Sequence, residues 1–245
     1  MDRLAYLASA GAKQLLHRQE TIAHNLANVN TPGFRADLDA FRAVPVQGAG
    51  PATRVFVAES TPGFDTTPGT LQATGRNLDV AIEGEGFMVV EARDGSEAYT
   101  RAGSLDIGAD STLRTRSGLV LQGDGGPISI PENARVTIGR DGTVSAMSGS
   151  DNKSVSVVGR IKLVNPPATS LVKGGDGLFR SADGSAAADA NVKLVDGTLE
   201  GSNVNPVDAL VGMIAVARQF ETQMRLMTTA DQNSRDANKL LSANG

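Results

Sequence analysis

From Leu4 the chain places Ala8, Gly11, Leu15, Arg18, Ile22, Asn25 and Val29 at alternating intervals of four and three. That spacing returns side chains to one face of an α-helix. It predicts a first helix, capped at Asp2 and ended by Thr31-Pro32-Gly33. Arg18 and Asn25 weaken the stripe, and Leu4, Leu15, Ile22 and Leu26 are its candidate contact residues. The far end repeats the pattern more strongly. Leu210, Met213, Ala217, Phe220, Met224 and Met227 follow intervals of three and four without a miss, and Val211, Ile214 and Val216 widen the band. Ser202, Asn203 and Asn205 are capping types, Pro206 fits a first helical turn, and Asp208 suits the positive end of the helix dipole. Beyond Met227 the register meets Asp231, Ser234 and Asn238, so the stripe fades into a polar tail.

Between the ends, short apolar runs with a period of two take over: Leu78–Ile82, Phe87–Val90, Arg135–Ile138, Val155–Val158 and Ile161–Val164. Asp-Gly recurs at Asp94, Asp124, Asp141, Asp176, Asp183 and Asp196, and such pairs accept the positive φ of tight hairpins. Residues 71–200 therefore read as an antiparallel all-β domain. Residues 31–70 hold Pro32, Pro45, Pro51, Pro62 and Thr67-Pro68-Gly69 with few periodic runs, which reads as an extended connector.

The expected fold is α+β. Helices in residues 1–30 and 201–245 pair as a coiled-coil-like terminal domain, and the connector and β domain are inserted between them. One partner helix would leave part of the broad C-terminal band wet. Each buried Leu or Met is worth roughly 1.5–3 kcal/mol, so the remainder predicts coverage by other subunits.

Charge and composition narrow the function. Lys and Arg total 23 against 27 Asp and Glu, a net charge of −4, which argues against nucleic acid as a partner. The absence of cysteine excludes disulfides and thiolate chemistry. The longest apolar run, Leu210–Ala217, falls far short of the roughly 20 residues of a spanning helix, so no membrane insertion is expected. Asp2 and Lys13 interrupt what would be the apolar core of a cleavable secretory signal.

Catalytic readings fail on context. Ser150-Asp151-Asn152-Lys153 contains S-x-x-K and S-D-N strings, but they overlap in one loop and no K-T-G follows. His17, Glu20 and His24 sit three and four apart, a spacing that could bring them to a metal, but no fourth ligand accompanies them. None of the Asp-Gly pairs extends into the D-x-D-x-D-G pattern of a calcium loop. No catalytic, cofactor-binding or metal site is assigned, and no enzyme is expected.

Three stretches carry a family resemblance. They are Ile22–Arg35, Thr74–Phe87 with Tyr99–Ser104, and Leu199–Pro206 leading into Met213-Ile214 and Arg218–Glu221. In that order they resemble the rod and hook subunits of the bacterial flagellum, across essentially the whole chain. The residues that match are Asn25, Leu26, Asn28, Asn30, Thr31, Gly33 and Phe34, then Asp79, Ala81, Gly86 and Phe87, then Gly201, Ser202, Asn203 and Asn205. Phe41–Val46 and Ser60–Gly63 are similar to the connector of proximal-rod members, while Asn77 stands where relatives often carry Pro.

The resemblance implies a structural subunit that assembles with other rod subunits and with copies of itself into a torque-transmitting helical tube. The terminal helices would line the tube and the β domain would lie outside. It further implies export through the flagellar type III apparatus to a rod that crosses the periplasm, with no cofactor. A distal-rod subunit is the alternative within the family. An exported β-rich protein that binds cell wall is the alternative outside it, disfavoured by an aromatic content of 4%.

Overall fold

The computed structural model of the chain describes residues 2–45, 55–148 and 154–243, and Ser150–Lys153 lie outside them. Helix α1 (Asp2–Ala27) comes first and helix α2 (Pro206–Ala243) last. Between them run β1 (Asp37–Pro45), β2 (Val55–Phe64), β3 (Leu71–Ala73), β4 (Val80–Glu83), β5 (Phe87–Glu91) and β6 (Glu97–Thr100). Next come β7 (Leu105–Ile107), β8 (Leu113–Thr115), β9 (Val120–Gly123), β10 (Gly126–Pro127), β11 (Arg135–Ile138) and β12 (Thr143–Ser148). The series ends with β13 (Ser154–Arg160), β14 (Leu163–Val164), β15 (Leu171–Lys173), β16 (Phe179–Ser181), β17 (Lys193–Asp196) and β18 (Thr198–Glu200). The α+β class expected from the sequence is what forms. Two compact units result: one holds α1, α2 and the sheet of β1 with β2 as far as Gly63, the other residues 28–36 and 64–204.

In the helical unit α1 and α2 run antiparallel. A Cβ added at Gly11 would sit 3.4 Å from Gln223, and one at Gly212 would sit 3.4 Å from Ile22, so positions on one helix rise as those on the other fall. The seam on α1 is Ala8, Ala12, Leu15, Gln19, Ile22 and Leu26. On α2 it is Ala209, Met213, Val216, Phe220, Gln223, Met227 and Ala230. Both alternate steps of four and three, as coiled-coil seams do. The polar tail beyond Met227 stays helical to Ala243, with an Arg235–Asp231 ion pair at 2.7 Å one turn apart. Within the segment that reads as a connector, β1 and β2 pair into a two-stranded sheet.

In the second unit every strand pairing is antiparallel. The main sheet runs β15-β16-β6-β5-β9-β8-β7, with β10 on β9 and β14 on β5. The β11-β12-β13 sheet and the pairs β17-β4 and β18-β3 accompany it. Phe87-Met88-Val89-Val90 is a continuous apolar run because β5 is buried on both faces. Met88 and Val90 join the larger core with Ile82, Leu105, Leu121 and Leu194, while Phe87 and Val89 join a smaller one with Tyr99 and Phe179.

β4 is fixed at its start by close backbone approach. The Val80 N–H donates to the Gly103 carbonyl at 2.9 Å, and a Cβ at Gly103 would lie 1.6 Å from the Val80 oxygen. Backbone cannot yield as a flexible side chain can. Gly103→Ala should therefore destabilise this unit by about 3 kcal/mol or more, read as a lowered urea midpoint; an unchanged midpoint would contradict it.

The Asp-Gly pairs make turns as expected: Gly95, Gly142, Gly177, Gly184 and Gly197 have positive φ, and after Asp124 the role passes to Gly126. The aspartates brace these turns. Asp94 accepts the Ser96 hydroxyl and amide, and Asp141 accepts those of Thr143, which holds both carboxyls below their ordinary range. The Arg180 guanidinium does the same to Asp176. Burial pushes Glu97 the other way, but hydrogen bonds from Lys162, Ser185 and Tyr99 outweigh it and the net direction is down.

All four groups thus bind protons more weakly folded than unfolded. Their stabilisation is present in full above the unfolded values of 3.8 for Asp and 4.5 for Glu, and is lost as pH falls through the lower folded values. Urea midpoints should decline below about pH 4.5. A midpoint that rises on acidification would reverse the sign of this account.

Candidate functional site

Two arrangements stand out, one in each unit. The first is the α2 surface turned away from α1. Residues three and four apart share a helix face, and Val207, Leu210, Val211 and Ile214 stand together at 64%, 49%, 61% and 57% exposure. Ala217 and Met224 extend the band, also exposed.

The sequence stripe therefore splits. Met213, Phe220 and Met227 enter the α1 seam, whereas Leu210, Ala217 and Met224 do not. Val216, a widening residue in the pattern, is the most buried of the described side chains of α2, at 2% exposure. Helix α1 differs likewise: Leu15, Ile22 and Leu26 lie in the seam, but Gln19 replaces Arg18, which is exposed. Gly11 faces Gln223. Leu4 is in α1 with its side chain outside the described residues.

Polar residues at the end of α1 hold β1 instead of solvent. The Asn25 amide donates to the Asp37 carbonyl at 2.9 Å and its oxygen accepts the Asp37 N–H at 2.8 Å. That pair of bonds imitates a strand neighbour. His24 Nδ1 lies 2.6 Å from the Asp37 carboxylate, and Thr21 donates to Asp39 at 2.6 Å. His17 meets Glu20 at 3.4 Å, so His17, Glu20 and His24 do not converge on a common point. The described residues contain no cluster of three His, Cys, Asp or Glu at metal-binding spacing.

The second arrangement is a buried charge cluster. Glu200, 1% exposed, accepts Arg101 Nε on one carboxylate oxygen at 2.6 Å, and its other oxygen lies 2.7 Å from Arg35 Nη2. That second oxygen also takes the Gly69 N–H at 2.9 Å, and the Glu200 carbonyl takes the Gly33 N–H at 2.8 Å. Arg101 completes its set on the carbonyls of Gly86, Gly84 and Ile82. Burial lowers the Arg101 pKa against the opposing pull of Glu200, and Arg35 adds to the lowering. One carboxylate thus ties three distant stretches of chain together.

Some of the matching residues touch this cluster directly, and the others have places of their own. Gly33 (φ 70°) would drive a Cβ to 2.3 Å from the Arg101 backbone, and Phe34 lies under Lys173 Nζ at 3.9 Å. The Asn203 side chain accepts the Ala36 N–H and donates to the carbonyls of Asp65 and Thr67. Gly201 donates to the Thr70 carbonyl, and Ser202 accepts the Val204 N–H. Asn28 and Thr31 close the turn after α1, with Asn30 exposed beside them. Asp79 is buried under Ser104, Thr74 and Arg76; Ala81 is fully buried; and Phe87 packs on Phe179. In the helical unit, Asn205 caps α2 by accepting the Val207 N–H at 3.0 Å.

Arg35, Arg101 and Glu200 each lie inside a matching stretch, but nothing in the sequence marks them as functional. No local spacing signals that residues so far apart in sequence meet, and charge in a β domain ordinarily means surface.

Family comparison agrees with the resemblance at three places. Residues 6–35 match the model described as flagella basal body rod protein, residues 81–146 that of the flagellar hook protein FlgE/F/G D1 domain, and residues 195–240 that of the flagellar basal body rod FlgEFG protein C-terminal. Among similar proteins, the flagellar basal-body rod protein FlgF of Salmonella typhimurium is 48% identical, over 99% of each chain. FlgF of Escherichia coli is 46% identical, also over 99% of each. FlgG of Bacillus subtilis is 32% identical, over 95% of this chain and 96% of its own. No helix among the described residues is long and apolar enough to cross a membrane. With end-to-end relatives of this kind, the chain belongs to the flagellar basal-body rod protein family and is a structural subunit of the proximal rod.

Proposed function

We propose that the chain is laid into the rod by its terminal helices, with the α2 band of Val207, Leu210, Val211 and Ile214 covered by neighbouring subunits and by further copies of itself. The observation that carries this reading is the exposure of that band while the opposite face of the same helix is occupied by α1. A repeating contact between unlike faces propagates a helix of subunits instead of closing a ring. On this reading Leu15, Ile22 and Leu26 with Met213, Phe220 and Met227 hold the two helices together, and Leu210, Ile214, Ala217 and Met224 meet the neighbours. The residues around Glu200 then serve to keep strands and connector in one fixed geometry under torque. The role is mechanical, with no catalytic step and no cofactor, and the net charge of −4 favours protein partners over nucleic acid. Family membership supports delivery by the flagellar type III export apparatus to the part of the rod that crosses the periplasm.

The test is an electron cryo-microscopy map of intact basal bodies with this chain traced in it. The expected result is a proximal-rod position, with α1 and α2 lining the inner wall and the α2 band covered. Helices facing solvent in that map would overturn the reading.

A further inference from the structure

In the second unit a cleft of about 640 Å³ opens above the buried charge cluster. Phe64, Phe87 and Leu171 supply apolar wall, and Arg35 and Arg101 line it from beneath. Both arginine side chains are 3% exposed, and with Glu200 they make a buried group of net charge +1. Their hydrogen bonding is unequal. Arg101 uses all three nitrogens, on Glu200 and on three carbonyls. Arg35 places Nη2 on Glu200 but leaves Nη1 buried with no partner.

A charged donor sealed from water and left unpaired is costly, and such groups ordinarily find an acceptor. The lining holds one carboxylate, that of Glu85, which is exposed at the rim between Gly84 and Gly86. The Glu85 carboxylate stays in solvent and gives Nη1 of Arg35 no acceptor. Guanidinium geometry suits a carboxylate above other acceptors, because the planar fork and the two oxygens match.

From these contacts we propose that the cleft receives an acidic side chain of a neighbouring axial subunit. Its carboxylate takes the open Nη1 of Arg35 after a small shift of the covering side chains, and an adjoining apolar group lies on Phe64, Phe87 and Leu171. The occupant's source rests on the assembly reading above, whereas the chemistry of the cleft does not. Through Glu200, an occupied cleft would brace the meeting point of three chain segments.

The experiment titrates the full chain with glutamate blocked at both backbone ends, and in parallel with blocked glutamine, following the arginine Nε–H signals by NMR. Blocked glutamate should bind saturably and move the Arg35 signal, with blocked glutamine weaker by about tenfold. Arg35→Gln should abolish the difference between the probes. Glu85→Gln, on an exposed rim residue that leaves the core intact, should tighten blocked glutamate several-fold by removing a like charge. Equal binding of the two probes, or no saturable binding in either wild type or the Glu85→Gln variant, overturns the proposal. Binding of blocked glutamate by a chain that never joins a rod would sink the assembly reading and leave the cleft's chemistry standing.

Discussion

Replacing Glu200 with Ala should destabilise the strand-rich unit by about 3–5 kcal/mol, the cost of stranding buried charge. Two guanidinium groups would remain in the interior, each 3% exposed, with no counter-charge between them. The Gly69 amide would lose its acceptor as well. Against a typical total of 5–15 kcal/mol for a folded domain, that loss removes a large share of the stability. Arg35→Leu makes the informative comparison. It leaves a neutral Arg101–Glu200 pair and should be milder than Glu200→Ala, although its side chain is the larger of the two deleted. Urea unfolding of the full chain, followed through the buried Tyr99 and by circular dichroism, measures both. A Glu200→Ala midpoint within error of wild type would show that water, not the carboxylate, balances the arginines.

The second large effect belongs to assembly. The double variant Leu210→Asp with Ile214→Asp should keep its helical circular dichroism and lose incorporation into basal bodies, and cells that depend on it should not swim. Both side chains are about half exposed in the single chain, so aspartate is tolerated there. In a subunit contact each apolar group would contribute roughly 1.5–3 kcal/mol on burial, and a buried unpaired carboxylate costs still more. The paired variant Phe220→Asp with Met224→Asp behaves differently: Phe220 lies in the α1 seam, so incorporation fails together with helix content, while the strand-rich unit stays folded. Normal swimming by the Leu210 and Ile214 variant would remove the α2 band from the assembly mechanism.

These two sites were not equally legible. The α2 band shows in the sequence as a run of apolar residues too broad for one neighbour. Its division into a covered and an open half does not. Met213, Val216 and Phe220 face α1, and Leu210, Ile214 and Met224 do not, because the antiparallel register with α1 fixes the rotation of α2. Periodicity alone leaves that rotation free. Gln19 and Gln223 show the same gap, since glutamine in a helix pattern reads as surface, yet both sit in the seam. Asn25 looked like a flaw in the α1 stripe and proves to be an anchor for the backbone of β1, a pairing that depends on how the chain turns after Ala27.

By itself the sequence determined the α+β class, the helices at both ends, the Asp-Gly turns and the family, because each is written in neighbouring residues whose spacing or backbone preference is local. Tertiary structure alone decided which helix faces stay open, which strand is buried on both sides, and that Glu200 sits between Arg35 and Arg101. Those outcomes depend on segments that meet only after the chain has folded, and a buried charge becomes tolerable only when its distant partner arrives.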